Sequence, residues 1–243
     1  MQIKLYKRST VMRNMVLFIS LSLFFVHIQN SINTGVSSFD LEKFVSLLTT
    51  EKTMVLLSLL SIFSVLYANR ISKIFFALFS FFVIYNGFAT FFTKLDKIIL
   101  LMNGLYVVLA YFFYLFWHFE LNESVYVPGF STSMIGKKSL YNIQVELLAE
   151  FRDPMKGIMT NWDEVGCFIA LDDEFDETIK KNVKIYISFA GKEFCQWGEI
   201  ISGYGNGVGI KFFEGEDEHD LDLKWKDFFS IITDRGYDQY SEI

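Results

Sequence analysis

Residues 98–119 read IILLMNGLYVVLAYFFYLFWHF, an apolar run without a single Asp, Glu, Lys or Arg. A membrane-spanning helix needs about 20 mostly apolar residues, with about 17 as a lower limit. The run meets that length. It ends in Trp117 and His118, side chains of the kind expected at a membrane–water boundary. Working back toward the N-terminus, three more uncharged stretches qualify: Asn14–Phe39, Thr53–Asn69 and Ile74–Thr93. The sequence therefore predicts four spans, at about 14–36, 53–70, 74–93 and 98–119, and a membrane region over residues 1–119.

The flanking charges set an orientation. The N-terminal tail carries Lys4, Lys7, Arg8 and Arg13 with no acid, and the short second loop carries Arg70 and Lys73. Lys and Arg favour the cytoplasmic side, which places both of these inside. The first loop (Asp40, Glu42, Lys43, Glu51, Lys52) and the third (Lys94, Asp96, Lys97) then lie outside, and four spans return the C-terminus to the cytoplasm. A cleaved signal peptide would need a small-residue site after the first run. His27-Ile28-Gln29-Asn30-Ser31 supplies none, so the first helix is read as retained. A transport pathway would want ionisable groups at mid-membrane depth. The only titratable candidate is His27, read as a helix–helix hydrogen-bonding group rather than a proton relay. The run Phe75, Phe76, Phe79, Phe81 and Phe82 reads as lipid-facing or packing surface. An anchor or membrane sensor fits better than a channel.

Composition agrees. The 243 residues are 52% hydrophobic and 18% aromatic, with 28 Phe and only 2 Pro, which excludes a disordered, collagen-like or disulfide-scaffold chain. Charge divides the chain. Residues 1–119 hold ten Lys/Arg against four acids, and residues 120–243 hold 12 against 24, so a basic apolar half at +6 precedes an acidic half at −12. Such an acidic half disfavours a nucleic-acid polymer as partner, because phosphate contacts need a basic face.

Beyond the spans, 120–136 reads as a linker, with Pro128-Gly129 followed by Ser131, Thr132 and Ser133. Short apolar segments separated by turn residues then follow: Ile143–Phe151, Gly157–Trp162, Gly166–Leu171, Val183–Phe189, Phe194–Ser202 and Gly207–Phe213. Val183, Ile185, Ile187 and Phe189 alternate with Lys184, Tyr186 and Ser188, the period of a half-buried strand. Six strands at this spacing predict a small barrel or sandwich. Leu221, Trp225, Phe228, Phe229 and Ile232 recur at helical spacing, which predicts a C-terminal helix packed on it. The fold class is thus a four-helix membrane region plus a small all-β six-stranded barrel domain over 137–235 with a C-terminal helix, and a tail at 236–243.

No catalytic constellation emerges. Cys167 and Cys195 lie in apolar strand contexts, and without nearby His they make no closed zinc site. The run Glu214–Asp220 lacks the ligand spacing of a calcium loop and reads as a solvated turn. His219 has no triad motif around it. Gly203-Tyr204-Gly205-Asn206-Gly207 joins two strands instead of opening a helix, so it reads as a turn and not a phosphate cradle. The chain is expected to be no enzyme and to hold no metal.

One arrangement carries a resemblance. Asn161-Trp162-Asp163-Glu164-Val165-Gly166 lies between two strands, and further on Gly207-Val208-Gly209-Ile210-Lys211-Phe212 closes a strand pair. With six strands and a C-terminal helix, residues 137–235 resemble a PilZ domain, whose D/N-x-S-x-x-G motif occupies this position. The resemblance implies a bacterial protein at the inner membrane and cyclic di-GMP as the ligand of the intact family site. In the family an R-x-x-x-R box before the first strand supplies guanidiniums that stack and fork onto the nucleotide, a contact Lys does not reproduce. Here Lys137 and Lys138 stand in that region, with Lys138 at the first Arg and Asn142 at the second. Asn161 and Gly166 fit the second motif, and Asp163 stands where Ser is expected. A carboxylate only accepts hydrogen bonds and repels phosphate. Each lost charged hydrogen bond is worth roughly 1.5–3 kcal/mol, so two or three take micromolar binding to about millimolar. Arg152-Asp153-Pro154-Met155-Lys156 reads as a turn between strands, not as the box.

The resemblance therefore implies a degenerate ligand set: Lys137, Lys138, Asn142, Asn161, Asp163 and Gly166. The leading expectation is a membrane-tethered interaction or regulatory module that holds a cytoplasmic or inner-membrane protein partner without nucleotide or other cofactor. Its acidic face (Asp172, Asp173, Glu174, Asp176, Glu177) suits a basic partner. The alternative is a cyclic di-GMP receptor with an unusual site that signals through the linker to the helices.

Overall fold

In a computed structural model, residues 3–127, 143–149, 153–173, 175, 182–213 and 223–234 are described. They fall into two compact units, one of Arg8–Leu121 and one combining Met1–Lys7 with Asn122–Ile243.

The first unit is helical: α1 (Thr10–Thr34), α2 (Leu41–Thr50), α3 (Lys52–Leu66), α4 (Ser72–Lys94) and α5 (Lys97–Glu120). Short polar side chains cap the amides that have no partner in a first turn. Ser9 Oγ accepts from Met12 N at 3.1 Å, Asp40 from Lys43 N at 3.1 Å, and Asp96 from Ile98 N at 2.8 Å. Gly35 ends α1 at φ 70°, where a glycine carries no steric penalty. Three helices, α1, α4 and α5, are each long and apolar enough to cross a membrane. The segment predicted as a span at 53–70 is α3, which ends at Leu66. It passes the same test only together with α2, from which it is bent by 88° at Glu51.

This unit buries small polar side chains beside its apolar ones while leaving large apolar side chains exposed. Ser22, Gln29, Ser58, Ser61, Ser72 and Asn103 are buried, whereas Leu101 (75%), Phe92 (71%) and Phe81 (63%) are exposed. Phe76 and Phe79 point inward, so the Phe run serves both surfaces. The buried hydroxyls bond to their own helix: Ser22 Oγ to Phe18 O at 2.7 Å and Ser61 Oγ to Leu57 O at 2.8 Å. Small residues allow close helix contacts. A Cβ on Gly87 would meet Asn103 Oδ1 at 2.5 Å. Tyr106 OH donates to Ser22 Oγ at 3.1 Å, and Trp117 Nε1 donates to Ser72 Oγ at 2.7 Å. His27 is buried with Nε2 unpartnered, its ring edge-on to Phe44 at 5.3 Å. Among the described residues the expected interhelical hydrogen bond is not made by Nε2.

The second unit is a closed antiparallel barrel of β2 (Gln144–Ala149), β3 (Met155–Trp162), β4 (Gly166–Leu171), β5 (Asn182–Phe189), β6 (Lys192–Tyr204) and β7 (Gly207–Phe212). The order β6-β5-β2-β3-β4-β7 closes because β6 also pairs with β7. Closure needs one long strand. Residues 192–199 of β6 pair with β5, and residues from Gly198 to Tyr204 pair with β7. Alternating inward residues Val145, Leu147, Val183, Ile185, Ile187, Val208 and Ile210 fill the interior. The helix α6 (Trp225–Asp234) lays Trp225, Phe228 and Ile232 on this core, with Phe228 ringed by Phe189 (5.5 Å), Phe194 (5.3 Å) and Trp225 (5.2 Å).

Because β6 outruns β5, the edge of its last residues is open. The N-terminal strand β1 (Lys4–Leu5) fills it, pairing antiparallel with Gly203 and Ser202. Tyr6 N donates to Ile201 O at 2.8 Å, the Tyr6 ring lies against Gly203, and Lys7 pairs with Glu199.

Candidate functional site

The β3–β4 turn carries the D/N-x-S-x-x-G-like motif. Asp163 Oδ1 accepts from Val165 N at 2.9 Å and Gly166 N at 2.7 Å, while Asp163 N donates to Gly166 O at 3.0 Å. An aspartate three residues before a glycine thus closes its own turn. Its second oxygen, Oδ2, accepts from Ser124 N at 2.6 Å. Asn161 is buried; its Nδ2 donates to Val127 O at 2.9 Å, and its Oδ1 accepts from Trp162 N at 3.0 Å. The motif therefore grips the chain's own segment 124–127, which follows directly on the helical unit in sequence.

That segment is seated, not merely tethered. A 3-10 turn at Ser124–Tyr126 buries all three of its residues. Ser202 Oγ donates to Val125 O, and Lys211 Nζ pairs with Glu123 at 2.8 Å. Two glycines make the seat. A Cβ on Gly209 would meet Val125 O at 2.1 Å, and one on Gly166 would meet Val125 Cγ2 at 2.7 Å. The Gly-x-Gly strand and the terminal motif glycine are thus both used for close approach to this turn. Trp225 Nε1 donates to Asp163 O at 3.1 Å, which ties α6 to the same corner.

Of the six residues predicted from sequence, Asn161, Asp163 and Gly166 come together here. Lys137, Lys138 and Asn142 lie outside the described residues, as do Arg152 and most of the acidic run, of which Asp172 and Asp173 are described and exposed. Sequence reading missed Glu123, Ser124, Val125, Ser202, Gly209 and Lys211 as members of the site, having placed 120–136 as linker. Ser202 follows a bulge in β6 and Lys211 lies near the end of β7, and neither carried a contact signal in the sequence. Cys167 is fully buried beside this turn. Burial pushes its thiol pKa well above the ordinary value, and the Asp163 carboxylate adds to the effect, so it is an inert core residue. Among the described residues no group of three His, Cys, Asp or Glu is placed to hold a metal ion.

The closed six-stranded barrel with its helix is compatible with a PilZ-like fold. Comparison of the sequence with known protein families and with curated proteins gave no match.

Proposed function

We propose that the chain is a bacterial inner-membrane protein whose helices anchor a PilZ-like barrel, and that the barrel works as a nucleotide-independent module holding a protein partner at the cytoplasmic face. The observation that carries this reading is the self-occupied motif: Asn161 and Asp163, the residues a family member would turn to its nucleotide, hydrogen-bond Val127 and Ser124 of the same chain. Exposed Leu and Phe around an apolar core that also takes in Ser and Asn support lipid as the solvent of the helical unit. The reading includes no catalytic step and no cofactor.

Chain connectivity supports both ends of the helical unit lying on one side. Residues 4–6 pair with β6 and residues 123–127 pack on the barrel, so the chain leaves for the helices and returns to one folded unit. A spanning segment between them must cross an even number of times. α1, α4 and α5 supply three crossings, and α3, which meets the length test only jointly with α2, supplies the fourth.

The test is calorimetric titration of cyclic di-GMP into the full chain in detergent micelles, paired with cross-linking in intact membranes. No heat at micromolar nucleotide together with a reproducible cross-linked protein is the expected result. Micromolar binding abolished by Asn161→Ala would overturn it in favour of a receptor.

A further inference from the structure

The helix α2 is the part of the helical unit that the anchor reading leaves without a role. None of its residues is buried, and it meets α3 at 88°. At 100° per residue, Leu41, Phe44, Val45, Leu47 and Leu48 fall on one arc, with Glu42, Lys43, Ser46, Thr49 and Thr50 on the other. Half of the apolar arc is used. Phe44, Leu47 and Leu48 are half-buried, with Phe44 against Phe24 (5.8 Å) and His27. The other half is open: Leu41 is 72% and Val45 56% exposed, and the preceding Phe39 is 87% exposed.

We propose that α2 lies flat in the headgroup–acyl boundary of the leaflet at the C-terminal end of α1, with Phe39, Leu41 and Val45 inserted among the lipid chains. It is then an interfacial helix, not an extension of a span. This rests on the membrane reading of the helical unit. Three observations select lipid as the occupant. A right-angle break places α2 across the axis of α3, so if α3 crosses the bilayer, α2 runs along its surface. The helix that follows in sequence, α3, likewise leaves large apolar side chains exposed, among them Leu56, Leu59 and Phe63. At 1.5 Å per residue the 15-residue α3 covers about 22 Å, short of the roughly 30 Å hydrocarbon core, so its N-terminal neighbour must settle into the interface or the bilayer must thin around it. Asp40, Glu42 and Glu51 outnumber Lys43 and Lys52, so seating comes from apolar burial and not from attraction to anionic lipid.

The test uses the full chain in phosphatidylcholine nanodiscs, in a Cys195→Ser background that leaves only the buried Cys167. Spin labels are placed singly through Leu41→Cys, Val45→Cys, Glu42→Cys and Ser46→Cys, with Leu101→Cys and Tyr111→Cys on exposed positions of α5 as controls. The reading is the ratio of oxygen to water-soluble nickel accessibility. Positions 41 and 45 should show a ratio several-fold above positions 42 and 46, unchanged when phosphatidylglycerol replaces a third of the lipid. Equal deep values at all four positions, as for a transmembrane segment, overturn the proposal. So do equal water-exposed values while positions 101 and 111 remain lipid-exposed. Water exposure at 101 and 111 overturns the membrane reading itself.

Discussion

Asp163 is the residue on which the site turns, because one carboxylate accepts three backbone amides from two separated pieces of chain. Replacing it with Asn leaves one oxygen for the turn and sets an NH2 against Ser124 N. A hydrogen bond to a charged group is worth about 1.5–3 kcal/mol, and the like-donor contact adds to its loss. Asp163→Asn is therefore expected to destabilise the barrel by about 2 kcal/mol in urea unfolding of the detergent-solubilised chain, followed by the fluorescence of Trp225. Asp163→Ser, which restores the family residue, should also destabilise, since a hydroxyl does not span both contacts. Gly209→Ala should act on the seat alone. Its Cβ collides with Val125 O, so limited proteolysis should cut near residues 122–127 several-fold faster while β2–β7 stay protected. Lys211→Ala is the contrast. Its partly exposed pair with Glu123 is worth about 0–1 kcal/mol, and little change is expected. Part of this was legible: a turn between two strands at Asn161–Gly166 could be read directly. The second use of Asp163 could not, because its partner Ser124 lies 39 positions away in a segment without hydrophobic periodicity.

At the scale of elements, the six barrel strands and α6 were legible because each carries its own signal. Val183–Phe189 alternates with period 2, and Trp225, Phe228 and Ile232 recur with the period of a helix. Phe228→Ala removes the ring shared by Phe189, Phe194 and Trp225, and core truncations of this kind cost about 3–5 kcal/mol. The barrel should then unfold at markedly lower urea concentration, with α6 detaching first in hydrogen exchange. The strand β1 had no such signal. Two residues make no period, and their pairing exists only because β6 is 13 residues long and leaves an edge beyond β5. Only the basic character of the tail could be read, and Lys7 uses it on Glu199. Tyr6→Ala strips the ring from Gly203 and should raise amide exchange at residues 201–204 without unfolding the barrel. Unchanged exchange there would mean the edge is protected by something other than β1. The segment predicted as the second span shows the reverse case. Its apolar composition was read correctly, but the bend at Glu51 depends on where α2 finds packing against Phe24 and His27, which no local pattern reports.

For the whole molecule, the proposed membrane topology turns on the parity of its crossings, on which the barrel bears independently of hydropathy. If residues 4–6 pair with β6, the residue that opens α1 and the residue that follows α5 lie on one side of the bilayer. Three crossings would split the folded unit, so the proposed topology needs α3 as its fourth crossing despite its 15 residues. Single cysteines in a Cys195→Ser background test this with a membrane-impermeant maleimide applied to intact cells. Cysteines placed at Gln2 and after Ile243 should stay unlabelled until the cells are permeabilised. Those at the exposed Ser37 and Leu95, in the loops after α1 and α4, should label in intact cells. The charge pattern makes the same forecast from a different cause, since Arg8, Arg13, Arg70 and Lys73 favour the cytoplasmic side. The two arguments part on one variant. Replacing Lys4, Lys7, Arg8 and Arg13 with Gln weakens the charge bias, yet a barrel that still holds β1 on β6 and seats 123–127 keeps both ends together. Both termini should then stay on the same side, whichever side that is. Labelling at one terminus and not the other would show that β1 is not paired in the membrane-inserted protein.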